Sequence, residues 1–434
     1  MPTSEYDKQV LRRKMIQPTT LIIGIDIGDD FHALAYINKE GTTLAQYPKI
    51  INSRQGFDQF KDITESLKAA HGCTDVLVGL EPSGHYHRNF ARWAKHCGFA
   101  VRYIRPDAAK HERKLSRGSK SKNDKRDALT LANLTREGRY LDVEVEPGDK
   151  FSELRQLAHL RNQVIKLNTA AKNKLHAALD ELFPELPKIF PSIDSKGFRA
   201  VLEHCPFPAD VIKLDESELV KIIDEATHKK KKSIQKAQAL YAAAKSSIGK
   251  SMISQADRFR FTAYFSEVKE SERSLLEIEQ KLIEIAKTVP RAENLLSIPG
   301  VGIKSIAVLL GELGDPTRFQ SAKQIIRHAG YDPREDKSGK HGGRLVISKE
   351  GRWLMRKCLF LMILNVVQKS TFFKAFYHWR LKTKTSEGHT LKKKQALCAA
   401  ILKLLRVIFA LLRSGRKFED TLSHSRSHKR YEHY

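Results

Sequence analysis

The chain has 434 residues, with 77 Lys and Arg against 50 Asp and Glu, for a formal net charge of +27. An excess of that size favours a polyanionic partner, because each phosphate neutralised releases condensed counterions. Hydrophobic residues make up 41%, too many for a disordered basic tail, so the charge sits on a folded body of two or three domains. The cysteines Cys73, Cys97, Cys205, Cys358 and Cys398 are an odd set without a Cys-x-x-Cys pair. That argues against a disulfide framework or zinc ribbon and for a reducing, cytoplasmic compartment. The first twenty residues are polar and mixed in charge, unlike a secretory signal. Of the apolar stretches, 358–367 is too short to span a bilayer and 401–412 is interrupted by Lys403 and Arg406, so no membrane partner is expected.

In chain order, residues 1–19 read as an extension. Residues 21–27, LIIGIDI, are an apolar run of strand length, with 31–37 as a hairpin partner and 43–50 as a third strand. Residues 55–70 have helical spacing, 75–80 (DVLVGL) form a second buried-strand candidate, 87–97 a helix, 100–104 a strand and 122–135 a helix. Strands that first meander and then alternate with helices imply an α/β domain over 20–147, a mixed sheet covered by helices. Beyond it, Leu157, Leu160, Val164, Leu167, Ala171, Leu175, Ala178 and Leu182 recur in steps of three and four, as do Phe261, Phe265, Val268, Leu275, Leu282 and Ile285. The heptad-like spacing predicts two long helices separated by a small helical insert over 148–290, either an antiparallel coiled-coil arm or two ordinary bundle helices. Residues 291–415 read as a helical domain with glycine-rich loops, followed by a basic tail over 416–434.

In so basic a chain the informative residues are the acids placed among apolar or basic neighbours. Asp26 lies inside the first strand, where an unpaired carboxylate is costly. Glu81 directly follows the DVLVGL strand, and Asp124 and Asp127 are three apart on one helix face. Taken singly, each has an ordinary structural explanation, such as a helix cap for Asp124. Taken together, four carboxylates from two strands and a helix could meet at the C-terminal edge of a sheet. Hard oxygen donors of that kind select Mg²⁺ or Mn²⁺, which activate and stabilise oxygens around a phosphodiester. The segment 102–126 carries ten Lys or Arg against three acids. Its Arg113, Lys114, Arg117, Lys120, Lys122, Lys125 and Arg126 are candidate nucleic-acid contacts, although a solvated charged loop would have the same composition. His85, His87, His96 and Cys97 lack zinc-like spacing.

A second constellation begins at 298, IPGVGIKSIAVLLGEL, where Gly300 and Gly302 flank a tight turn ahead of a helix bearing Lys304. Backbone N–H groups at such a turn hold phosphate without reading bases, as in helix-hairpin-helix elements. Downstream, Ser338 stands in a loop among Gly339, Gly342 and Gly343, with Lys337, Lys340 and Arg344 beside it. Glycines allow close approach and the cations favour an alkoxide meeting a phosphate, so Ser338 is the nucleophile candidate or a phosphate-binding serine. Ser348 precedes an evident helix from 349 and is expected to be its N-cap, with a reserve role as nucleophile.

The order Asp26, Glu81, Asp124-x-x-Asp127, PGVG and SGK…ISKEG resembles the DEDD-type transposases of bacterial insertion sequences, the insertion-sequence one-ten family. The resemblance covers roughly residues 20–140 and 290–370. It implies a RuvC-like, RNase H-type domain whose four acids bind Mg²⁺, a coiled-coil linker, and a C-terminal transposase domain whose serine attacks DNA. It further implies recombination through a covalent phosphoserine, double-stranded element and target DNA as substrates, and a noncoding guide RNA. A homo-oligomer, dimer or tetramer, would form composite active sites, in a bacterial cytoplasm at the nucleoid. Relatives often have a more serine- and glycine-rich loop where this chain has Lys337 and Lys340.

Three other readings compete. A RuvC-type endonuclease would use the same acids with activated water and dispense with Ser338. An actin-like kinase is suggested by GIDIGDDFHALAYI, but the second Asp-x-Gly phosphate segment is missing and the charge fits poorly. A non-catalytic scaffold would not need all four acids. No G-x-x-x-x-G-K-[ST] loop is present.

Overall fold

The computed structural model describes residues 5–82, 84–115, 124–141, 149–338, 341–383, 388 and 390–420, with backbone alone at 5, 48, 334–338 and 341–345. The chain divides into two compact units, Met1–Asp149 and Lys150–Tyr434.

The first unit is built on a five-stranded sheet. Its strands are β1 (Thr20–Ile27), β2 (Phe31–Ile37), β3 (Thr43–Ile51), β4 (Asp75–Leu80) and β5 (Ala100–Tyr103), in the order β3-β2-β1-β4-β5. The pairs β1–β2 and β2–β3 are antiparallel, whereas β1–β4 and β4–β5 are parallel. Side chains alternate along each strand, so the two faces of the sheet hold different cores. Leu21, Ile23, Ile25 and Ile27, with Leu34, Tyr36, Val78 and Leu80, face one core. There they meet Phe57 and Phe60 of α2 (Arg54–His71) and Phe90, Ala91 and Ala94 of α3 (His87–His96). Helix α2 starts where Ser53 accepts the Gly56 N–H and ends at the left-handed Gly72.

The opposite face carries Ile22, Ala33, Ala35, Ile37 and Leu77, with Ala128, Leu131 and Ala132 of α5 (Asp124–Arg136). Two helices lie where none was expected. The expected extension contains α1 (Glu5–Met15), and the basic segment after β5 contains α4 (Pro106–Leu115).

The second unit opens with α6 (Lys150–Leu182), passes through a small helical insert, and returns along α12 (Gln255–Lys287). Each long helix has 33 residues, about 50 Å of length. They run antiparallel, as the contacts Arg161–Glu279, Asn168–Ser271 and Lys174–Glu267 show. The insert has α7 (Leu186–Ile189), α8 (Lys196–His204), α9 (Pro208–Ile212), α10 (Glu216–Thr227) and α11 (Lys230–Lys245). These helices share a core around Phe183, Phe190, Phe198, Phe207 and Phe261.

The expected seam of α6 is only partly inward. Val164, Ala171, Leu175, Ala178 and Leu182 are buried, but Leu160 and Leu167 are exposed. Asn162 and Asn168 take inward positions instead, Asn168 Nδ2 donating to Ser271 Oγ at 2.9 Å. The side chain of a helix with 3.6 residues per turn drifts off a strict seven-residue line, and a paired asparagine is a satisfied substitute.

The remainder comprises α13 (Ile303–Leu313), α14 (Ala322–Ala329), the hairpin β6 (Pro333–Ser338) and β7 (His341–Ile347), α15 (Trp353–Lys369), α16 (Thr371–Lys382) and α17 (Lys393–Ser414). Helix α17 is long and apolar enough to cross a membrane. Its Ala400, Ile401, Leu404, Leu405 and Ile408 nevertheless lie in the core, where the helix packs against α14, α15 and α16. Beyond α17, Phe418 packs on Phe373, and Asp420 accepts the Thr371 and Phe372 N–H groups at the start of α16. The last residues of the described chain are therefore tied down, and 421–434 lie outside the described residues.

Candidate active site

Two glycines place the acids of the first unit. Gly24 and Gly79 are register partners on the parallel strands β1 and β4. A Cβ on Gly24 would stand 2.1 Å from the Ala128 carbonyl oxygen and 2.2 Å from the Ala132 nitrogen. One on Gly79 would stand 1.7 Å from Thr135 Oγ1. Helix α5 thus rests directly on the sheet backbone at these positions. Two residues further along each strand, on the same face, come Asp26 and Glu81. The pairing Ile25↔Leu80 sets them level at the C-terminal edge, on strands about 4.8 Å apart.

The first turn of α5 supplies Asp124 and Asp127. Asp127 is 3% exposed, and Asp26, Glu81 and Asp124 are half-buried. Asp127 reaches the same edge as Glu81, because Arg113 of α4 touches both. Arg113 Nη2 lies 2.5 Å from Glu81 Oε2, and its Nε lies 3.2 Å from Asp127 Oδ1.

The donor set is four hard carboxylates, chemically suited to Mg²⁺ or Mn²⁺. In the arrangement described it does not close around an ion. Among the described residues no group of three or more His, Cys, Asp or Glu side chains is placed to hold a metal. A guanidinium stands between Glu81 and Asp127 instead. Arg113, expected among the nucleic-acid contacts, faces the acids. The signal for it was the Pro106–Asp107 helix start, which puts 106–115 on a helix rather than in a loop. Lys114, Lys125 and Arg126 are exposed around this edge, while Arg117, Lys120 and Lys122 lie outside the described residues.

In the second unit, the turn 298–302 links a 3₁₀ helix, Ala292–Ser297, to α13. Gly300 has φ +93°, and a Cβ there would stand 2.8 Å from the Asn365 carbonyl, so packing on α15 already requires glycine. Gly302 precedes the first turn of α13 with open space around it. Lys304 is half exposed, and its Nζ meets Glu279, which Arg161 also contacts. Beneath α13, the buried Glu312 carboxylate pairs with His159 at 2.8 Å. The Glu312 carbonyl accepts from His328 Nε2 at 3.0 Å. Burial pushes the His328 imidazole down to about 4, against a weaker upward pull from that hydrogen bond. This polar cluster was not anticipated, since its members are far apart in sequence.

Ser338 is the last residue of β6, in register with His341 of β7. It is thus at a hairpin tip rather than in an open loop. Lys340 lies outside the described residues, as do the side chains of Lys337, Ser338 and Arg344.

Ser348 is not the N-cap of α15. That helix starts at Trp353 after Arg352, which makes no side-chain cap. Ser348 instead donates its hydroxyl to Asp332 Oδ1 and its N–H to the Asp332 carbonyl, at 2.9 Å for the latter. With the Lys349 N–H bound to the Gly330 carbonyl and the Arg352 N–H to that of His328, residues 348–352 are spent on the end of α14. Helical geometry begins only after them.

Comparison with known proteins adds to this geometry. A DEDD-type transposase family model matches residues 23–184, and a second, described as "Transposase IS116/IS110/IS902 family", matches 292–378. The chain is 24% identical over 415 residues to the 43.6 kDa protein of insertion element IS110 from Streptomyces coelicolor, covering 93% of this chain and 96% of that one. It is 22% identical to the transposase for insertion sequence element IS1111A of Coxiella burnetii, covering 80% and 78% respectively. A pilin gene-inverting protein of Moraxella bovis is 30% identical over 154 residues, 34% of this chain and 46% of that one.

Proposed function

Because the chain belongs to the IS110 family of insertion-sequence transposases, we propose that it cuts and rejoins DNA at the ends of its element and at a target, through a covalent bond to Ser338. One observation carries this reading. The four acids fall inside one family-matched segment, 23–184, and Ser338 inside the other, 292–378, so each half of the expected chemistry lies in a segment of this family.

The mixed sheet, antiparallel on the β2 side and parallel on the β4 side, supports an RNase H-like reading of the first unit. It brings carboxylates of two parallel strands and a crossing helix to one edge. The antiparallel α6 and α12 support the coiled-coil linker, and the Gly302 turn supports backbone contact with phosphate. The +27 charge supports nucleic-acid partners, double-stranded DNA and a guide RNA from the element. In a homo-oligomer with composite sites, the acids of one protomer would serve the serine of another.

The step itself is a transesterification. Ser338 Oγ attacks phosphorus, the bond from phosphorus to a sugar oxygen breaks, and that oxygen leaves as a hydroxyl while the serine proton is given up. Attack on the phosphoserine by another sugar hydroxyl reverses the exchange and restores the serine. The number of phosphoester bonds is unchanged throughout, so strands are exchanged without ATP, consistent with the missing phosphate loop.

The test is to incubate the full chain with its flanking element DNA and co-purified RNA in Mg²⁺. A denaturation-resistant adduct mapping to Ser338 and absent from Ser338→Ala is expected. Undiminished cleavage by Ser338→Ala would favour the water-using nuclease.

A further inference from the structure

Helix α16 is rich in aromatic and basic side chains, yet of its twelve residues only Phe373 is buried. We infer that α16 is a binding face for an unpaired stretch of RNA, with Trp379 stacking on a base and Arg380 holding a neighbouring phosphate. The inference rests on the reading above, in which the DNA partners are duplex and the guide RNA is the strand with unpaired nucleotides.

Charge is the first argument. Residues 371–394 carry seven Lys or Arg against one acid, Glu387, and α16 itself carries none. Lys374, His378 and Lys382 are exposed at steps of four, a stripe of basic groups about 6 Å apart along the helix. Helix α17 returns along α16, with Lys403 Nζ 5.5 Å from the centre of the Phe372 ring. The exposed Lys392, Lys393 and Lys394 at its start therefore extend the basic face.

Arg380 is the second. It is half-buried, its guanidinium lies 5.3 Å from the centre of the Trp379 ring, and its Nε–H is buried without a hydrogen-bond partner. Arg113, Arg136 and Arg260 also bury an Nε–H that makes no hydrogen bond, but each meets a carboxylate. Among the described residues Arg380 meets none, and burial alone pushes its guanidinium below the usual arginine range. Arg199, Arg258 and Arg260 go the other way, pushed up by bonds to Glu272, Asp210 and Glu181. A desolvated guanidinium without a counter-ion is costly, and its planar fork suits a phosphate.

Trp379 selects among anionic partners. It is 37% exposed beside Phe376, whose ring centre is 5.6 Å away. A duplex keeps its base faces stacked, whereas an unpaired base is free to stack on an indole. A second copy of the chain, related by a two-fold axis, would bring the same basic face against itself and be repelled.

The experiment irradiates the full chain, assembled with its co-purified RNA and flanking element DNA, with ultraviolet light and weighs the digested peptides. A ribonucleotide joined to the peptide containing Trp379 is expected, a measurement that needs no variant to fold. Filter binding of the same RNA and of the element duplex then compares wild type with Trp379→Ala, Trp379→Phe, Arg380→Gln and Lys231→Gln. Trp379→Ala should weaken RNA binding about tenfold and leave duplex binding within about twofold, with Trp379→Phe keeping most of the affinity. Arg380→Gln should also weaken RNA binding about tenfold. Lys231→Gln, which removes the same charge from the exposed insert, should stay within about twofold. A deoxyribonucleotide on the Trp379 peptide, or equal losses of RNA and duplex binding in Trp379→Ala, overturns the assignment to RNA. Undiminished RNA binding by Trp379→Ala, with the Ser338 adduct still formed, overturns the inference and leaves the transposase reading intact. Absence of both the adduct and any co-purified RNA overturns that reading and this inference with it.

Discussion

Gly24→Ala is the sharpest test of how the acids are positioned. The added methyl would meet the Ala128 oxygen at 2.1 Å, the Ala132 nitrogen at 2.2 Å and the Ala132 Cα at 2.8 Å. All three are backbone atoms of α5, so no side chain can swing aside. Normal contact requires about 3.5 Å, so the helix has to lift by more than an ångström. Overpacking of this kind costs roughly 1–3 kcal/mol, and a rigid helix backbone puts it at the upper end. At 1.4 kcal/mol per factor of ten, about 3 kcal/mol corresponds to a rise of about 100-fold in the opening of the first unit. Hydrogen exchange of the full chain reads this region by region. Peptides covering β1 and β4 should exchange about 100-fold faster, while peptides of α6 and α12 keep their rates. Because α5 carries Asp127, the same variant should also weaken Mn²⁺ binding. Gly302→Ala is the control: its Cβ meets nothing within 4 Å and its φ is −108°, so exchange should stay as in wild type. Unchanged exchange in β1 for Gly24→Ala would refute the flush packing of α5 and with it the derivation of the acidic edge.

Two further outcomes test the second unit. His328 is held neutral, with its imidazole lowered from 6.5 to about 4. A lowered histidine contributes stability in full above the unfolded value and loses it as pH falls from about 6.5 towards 4, up to about 3 kcal/mol. The difference in urea stability between wild type and His328→Gln should therefore shrink over that window; a constant difference would contradict the burial argument. On α6, Leu175→Ala should cost about 2–5 kcal/mol, whereas Leu167→Ala, at a position 65% exposed, should stay within about 0.5 kcal/mol. Equal costs by urea denaturation would restore Leu167 to the seam.

The strands were legible because their signal is local. An apolar run such as LIIGIDI cannot satisfy its side chains except in a sheet buried on both faces, and period two then fixes the face of Asp26 as soon as that of Ile22 is known. Glu81 follows the same logic from DVLVGL, and the three-residue spacing of Asp124 and Asp127 puts both on the first turn of α5. The order of acids, turn and serine along the chain carried the family resemblance for the same reason: a linear pattern needs no partner to be read.

What remained hidden depended on partners distant in sequence. Whether Leu160 and Leu167 face inward depends on the line along which α12 crosses α6, and Asn168 wins its place through Ser271, about a hundred residues away. Ser348 has the composition of a helix cap, but a cap exists only if the next residue turns helical, and bonds to Asp332, Gly330 and His328 prevent that. Arg113 sits in a run of cations that composition alone assigns to phosphate. Only the packing of α4 beside α5 aims it at Glu81 and Asp127. Sequence determined which groups exist and which face each occupies within its own element, because those follow from backbone periodicity. Tertiary structure decided which charge meets which, because Coulomb attraction depends on distances that no local pattern encodes.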